Sequence, residues 1–236
     1  MTAPRRTHAQ ARAEMNAGIL REGRAQLDEV GAAQLSLREI ARSLGVASSA
    51  LYRHVASRDE LLTLLIADAY TELADAVDAA LAAPGGEVPA GRQHAASGRE
   101  ALFRLGRAMR VWAVAHPRRW ALIYGSPVPG YAAPAEGTTE AGTRVMGTFL
   151  TLTAGGTAPV SARPSPALGA FLTAAAGELG LNADAPTAVE AVGAWTALIG
   201  AISAEVFGQL GPELAPFGAE LLERELERTA SAFGLG

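Results

Sequence analysis

Between Ser48 and Arg58 the chain sets three hydroxyls (Ser48, Ser49, Ser57), a phenol (Tyr52), an imidazole (His54) and two guanidiniums (Arg53, Arg58) within eleven residues. All of these groups donate hydrogen bonds to phosphate oxygens, and side chains as small as Ala47, Ser48 and Ser49 let a helix approach base edges closely. The chemistry on offer is a grip on a polyanion, not a bond-making reaction. The four histidines, at 8, 54, 94 and 116, form no i, i+4 pair and there is no cysteine, so no metal site, thiolate nucleophile or disulfide framework is expected. Phosphate-binding loops, nucleophile elbows and dinucleotide fingerprints do not occur, and no cofactor is expected.

A net charge of −4 without a single lysine is an odd endowment for contact with a polyanion. The distribution resolves the difficulty. Residues 1 to 60 carry nine arginines against seven acids and sum to +2, while the remainder sums to −6. Any polyanion therefore meets the N-terminal end. A hydrophobic content of 49% over 236 residues suits one sizeable core, or a small domain joined to a larger one. The N-terminus lacks the apolar run of a signal sequence. The most apolar late segment, Ala194 to Phe207, is short for a bilayer and contains Glu205, so a cytoplasmic protein with no membrane partner is expected.

The elements that must position the polar groups are helices. After a tail of about eight residues, positions 9 to 30 keep helical polarity and stop at Gly31. Ser36-Leu37-Arg38-Glu39 reads as a capping box, the Ser36 hydroxyl accepting a backbone N–H while Glu39 reaches back to the cap. Leu37, Ile40, Ala41 and Leu44 then make one buried stripe. Gly45 turns the chain into a second short helix that buries Val46, Ala50 and Leu51. The box Ser57-Arg58-Asp59-Glu60 opens a long helix to about Leu81, ended by Pro84 and Gly85-Gly86. A division into domains 1–82 and 83–236 is expected there.

Beyond it, the box Ser97-Gly98-Arg99-Glu100 opens a helix that ends at Pro117, and a short helix over 118–124 meets the loop "GSPVPGYAAP". Another helix spans about 138–152, residues 154–166 read as a surface loop, and the last two helices cover about 185–208 and 212–233. Strand alternation is nowhere sustained. The expected fold is all-α: an N-terminal three-helix helix-turn-helix domain and a larger C-terminal helical domain.

In such a motif the second helix enters the DNA major groove. Ala47, Ser48 and Ser49 would face base edges, Tyr52, His54 and Arg58 would hold phosphate, and Ser36 with the amides of its helix start offers one more phosphate site. Residues 35 to 62, "LSLREIARSLGVASSALYRHVASRDELL", resemble the DNA-binding domain of the TetR family of transcriptional regulators. The central run is Leu51-Tyr52-Arg53-His54-Val55, with Val55 where the family more often has Phe, and after two further residues the basic residue is Arg58 where Lys is commoner. By position the resemblance assigns base contacts to Arg38, Ser48 and Ser49, and phosphate clamps to Tyr52, His54 and Arg58. It implies a homodimer paired through its last two helices, double-stranded DNA with a palindromic operator as partner, and repression relieved by a small molecule held in the C-terminal domain.

Residues 101 to 131 are similar to the C-terminal domains of one TetR subgroup, in which a helix after His-Pro leads into a Gly-Ser-Pro loop. Trp112, His116, Trp120, Tyr124, Tyr131, Phe149 and Trp195 gather most of that domain's large rings, and a pocket lined by them would take an apolar or aromatic ligand. For a dimer, Val192, Ile199, Ile202 and Phe207 on one helix, with Leu221 and Leu222 on the last, present more apolar face than a monomer covers. The rival reading is a ligand-binding or enzymatic helical protein whose helix-turn-helix is vestigial. The missing nucleophile, metal cluster and cofactor motifs count against it.

Overall fold

The computed structural model describes residues 8–83, 98–134, 139–154, 164–178, 180–181 and 183–236, and every regular element among them is helical. In chain order these are α1 (His8–Val30), a single 3-10 turn (Ala32–Gln34), α2 (Leu37–Ser43), α3 (Ser48–Leu51), α4 (Arg58–Ala82), α5 (Gly98–Ala115), α6 (Pro117–Tyr124), α7 (Thr139–Ala154), α8 (Pro166–Glu178), α9 (Ala185–Val206), α10 (Gly211–Leu214) and α11 (Gly218–Ala232). The proposed cap Ser97 lies outside the described residues, as do His94, Arg5 and Arg6.

Two compact units emerge, Met1–Tyr70 with Arg118–Ala141, and Thr71–Pro117 with Gly142–Gly236. The partition differs from a single break after residue 82, because α4 is shared between the units and the segment around α6 belongs to the first. Local contacts explain that membership. The Arg119 guanidinium pairs with Asp28 at 2.5 Å and that of Arg118 donates to the Leu27 carbonyl at 3.5 Å, placing two cations at the carbonyl-rich end of α1. Trp120 is fully buried, and the Tyr70 hydroxyl donates to the Ile123 carbonyl at 3.2 Å.

The core of the first unit is built from one stripe per helix: Ile19 and Leu27 of α1, Leu37, Ile40 and Ala41 of α2, Leu51 of α3, and Leu61, Leu62 and Leu65 of α4. Burying side chains of this size contributes about 1.5–3 kcal/mol each, which is what holds the two short helices α2 and α3, which would not persist alone. Leu122, Val128 and Tyr131 close over the same core.

In the second unit α9 packs on α8, α5 and α11, and α11 packs on α5. Among the described residues α9 is the one helix long and apolar enough by composition to cross a membrane; here its Trp195, Leu198 and Ile202 are buried in the unit. Arg110 of α5 forms a two-pronged pair with Glu205 of α9 at 2.5 and 2.7 Å, and that carboxylate lies against the first turn of α11. A Cβ on Gly218 would fall 2.3 Å from it, so a larger residue there must displace the Glu205 carboxylate.

The sequence reading missed α8 and gave the C-terminal stretch as one helix where α10, a 3-10 turn (Ala215–Phe217) and α11 stand. The reason is visible in α8 itself. It is Ala-, Gly- and Leu-rich with no polar stripe to betray its period. Its start does carry a signal: the Ser165 hydroxyl accepts the Leu168 N–H at 3.3 Å, and Pro166 occupies the first turn.

Candidate nucleic-acid interface

Ser36 begins the interface by capping α2, its hydroxyl oxygen accepting the Glu39 N–H at 3.4 Å. The reciprocal half of the capping box is made otherwise than expected. Gln26 of α1 accepts the Ser36 N–H at 2.6 Å, while Glu39 turns to pair with Arg42. The Ser36 hydroxyl hydrogen is left to donate elsewhere. Arg38, one residue inside α2, is exposed and pairs with none of the described residues.

The turn into α3 is set by Gly45, whose φ of +67° lies in the left-handed region that costs a side-chain-bearing residue about 1–2 kcal/mol. The Val46 N–H then bonds back to the Ala41 carbonyl at 3.0 Å, fixing the angle at which α3 leaves α2. Leu51 anchors α3 with no exposed surface, and Val55 is buried beyond it. That anchoring puts Ala47, Ser48 and Ser49 on the outside at the start of α3, all three exposed, with Tyr52 44% exposed after its last turn. Small side chains stand first, and the polar ones follow.

His54 and Arg58 are half-buried and already engaged. The His54 Nδ1 lies 2.8 Å from the Asn16 Oδ1 of α1, which orients the ring. Arg58 donates to the Ala32 carbonyl at 2.9 Å and thereby ties α4 to the 3-10 turn. The structure thus brings Ser36, Arg38, Ala47, Ser48, Ser49, Tyr52, His54 and Arg58 together in one unit, with Arg58 serving a structural contact as well. Asn16 and Gln26 were not legible from the sequence, since nothing local distinguishes a polar residue that braces a neighbour from one that faces solvent.

The rings expected to line a ligand pocket do not form one cluster. Trp120, Tyr124 and Tyr131 belong to the first unit. Trp120 and Tyr124 sit with centroids 4.5 Å apart, and Tyr70 meets Tyr124 edge-on at 5.9 Å. Burial, with Tyr70 beside it, pushes the Tyr124 hydroxyl well above the ordinary phenol range. Thr63 donates its hydroxyl to the Asp59 carbonyl at 3.0 Å, so the Tyr131 hydroxyl, 2.9 Å away, is the donor to Thr63. These rings staple residues 118–131 onto α4.

Trp112, His116, Phe149 and Trp195 belong to the second unit. The His116 Nδ1 lies 2.9 Å from the Trp112 carbonyl, a bond within its own helix end, and its ring sits on Trp112 at 5.2 Å. Phe149 and Trp195 bury each other at 5.3 Å. A cleft does exist in this unit, among α7, α8 and α9, and none of the expected rings lines it; Val192, expected at a dimer interface, does. Of the other residues expected there, Ile202 and Leu222 are 1% and 2% exposed because they fill the unit's own core against α11 and α5. Ile199 is half-buried, and Phe207 and Leu221 are exposed.

Known proteins share this arrangement. Residues 19–65 match the model of bacterial regulatory proteins of the tetR family, and residues 102–229, more than half of the chain, match the tetracyclin repressor-like C-terminal domain. The HTH-type transcriptional regulators Mb1846 of Mycobacterium bovis and Rv1816 of Mycobacterium tuberculosis are each 45% identical over 210 residues, covering 86% of this chain and 86% of the relative. The crystal structure of a candidate regulatory protein, SCO4313, superposes with a TM-score of 0.73 at 32% identity, over 96% of this chain and 100% of that one. The chain belongs to the tetR family and is a DNA-binding transcriptional regulator.

Proposed function

We propose that the protein is a homodimeric cytoplasmic repressor that reads a palindromic operator in double-stranded DNA and is released by a small apolar ligand held in its second unit. The observation that carries the DNA reading is the exposed start of α3, Ala47-Ser48-Ser49, aimed outward by the Gly45 turn, together with the exposed Arg38 of α2. Ser48, Ser49 and Arg38 contact base edges, whereas Ser36, Tyr52, His54 and Arg58 grip the flanking phosphates. Two copies whose recognition helices lie about 34 Å apart reach successive major grooves. The exposed Phe207 and Leu221 support pairing of the copies through the α9 and α11 region.

Release asks little of the ligand. Discriminating between a DNA-competent state and another by about 1.4 kcal/mol lowers operator affinity tenfold. Footprinting on the DNA upstream of the protein's own reading frame tests the proposal: two protected half-sites related by a dyad support it, and a single unsymmetrical footprint opposes it.

A further inference from the structure

Met146 and Leu150 of α7, Leu172 and Ala176 of α8, and Ala191 and Val192 of α9 face one cleft of about 70 Å³, partly open to solvent. Among the described residues no charged side chain and no aromatic ring lines it. Among the described residues its single polar side chain is Thr187, at the start of α9, where the Thr187 N–H donates to the Asp184 carboxylate at 2.8 Å. A ligand in the cleft therefore finds chiefly dispersion and burial, with the Thr187 hydroxyl the one polar side-chain group at hand. Alanines at 175, 176, 188 and 191 leave room between the helices, and the Met146 thioether is free to adapt its shape to the occupant.

We propose that this cleft binds a single saturated alkyl chain, with the ligand's polar head left at the open mouth. The inference rests on the ligand-responsive reading above and gives its effector a chemical class. The large rings of the unit are occupied elsewhere, Phe149 with Trp195 and Trp112 with His116, so the cleft offers no ring face on which an aromatic ligand would stack.

The test is calorimetric titration of the full chain, without DNA, with the straight-chain alcohols from 1-hexanol to 1-dodecanol and with 2-naphthol as an aromatic comparator. Affinity is expected to rise about fourfold per methylene until the cleft is filled, then level off, with 2-naphthol binding more weakly than the best alcohol. Ala175→Leu, which extends into the cleft, abolishes that binding. Met146→Ala, which enlarges it, moves the plateau to a longer chain, and it keeps the test decisive should Ala175→Leu fail to fold. Absent binding, an affinity that does not change with chain length, tighter binding of 2-naphthol, or a plateau unmoved by Met146→Ala overturns the proposal. Adding the best alcohol to the protein on operator DNA is a separate arm: binding without loss of DNA affinity leaves the cleft standing and overturns the effector reading instead.

Discussion

Gly45→Ala probes the demand on which the interface turns. An added Cβ at Gly45 meets nothing within 4 Å, so the whole cost of the substitution is the backbone φ of +67°. Holding alanine there costs about 1–2 kcal/mol, which for a chain of this size lowers Tm by roughly 2–8 °C. The alternative is that the turn relaxes to negative φ. That route saves stability but swings α3 away from the seat defined by Leu51, and operator affinity falls instead. Thermal denaturation followed by circular dichroism reads the first outcome and fluorescence anisotropy on operator DNA reads the second. Gly147→Ala is the control, because Gly147 lies inside α7 with nothing within 4 Å of its added Cβ, and there alanine should stabilise by about 0.5–1 kcal/mol. Tm and affinity both unchanged in Gly45→Ala would refute the left-handed turn. Losses of equal size in both variants would refute the attribution to φ.

Ser36→Ala removes the acceptor for the Glu39 N–H and should cost about 1 kcal/mol in urea denaturation, with Ser36→Asp restoring most of it. Arg38→Ala should reduce the ratio of operator to scrambled-duplex affinity by about tenfold or more, the worth of a good base contact, whereas Tyr52→Phe should weaken both duplexes alike; loss on both from Arg38→Ala would remove it from base reading. Glu223 is held below the ordinary carboxylate range chiefly by its hydrogen bonds from Arg107, with burial opposing. Because its folded value is the lower one, this pair stabilises the protein above the ordinary range and ceases to do so as pH falls through the lowered value. Arg107→Gln should therefore be less stable than the parent near neutral pH and equal to it in acid below that value; a deficit that persists in acid would locate the loss in packing.

The helix-turn-helix was legible because its requirements are local. A Ser cap, a glycine where φ must be positive, and an i, i+3, i+4, i+7 stripe each write themselves into a few adjacent letters, and Ser36, Gly45 and Leu51 stand where those letters put them. Its bracing was not legible. Asn16 and Gln26 act on residues far along the chain, and Arg58 finds a carbonyl 26 positions away.

The second unit resisted for a different reason. Helices that are apolar all round, such as α8 and α9, do not reveal which stripe meets a neighbour, so the sequence did not show that Val192 lines a cleft or that Ile202 fills the unit's own core. Aromatic residues mislead in the same way, since Trp120 and Tyr131 are spaced like pocket residues but serve to pin a loop segment.

The most direct test is fluorescence anisotropy of the purified protein on its own upstream DNA and on a scrambled duplex of equal length, each at two salt concentrations. Tight binding confined to the upstream DNA, with log affinity falling against log salt at a slope of about −5 if on the order of six phosphates are clamped, is the expected result. Equal, weak binding to both duplexes across the upstream region would contradict a specific reader of that DNA.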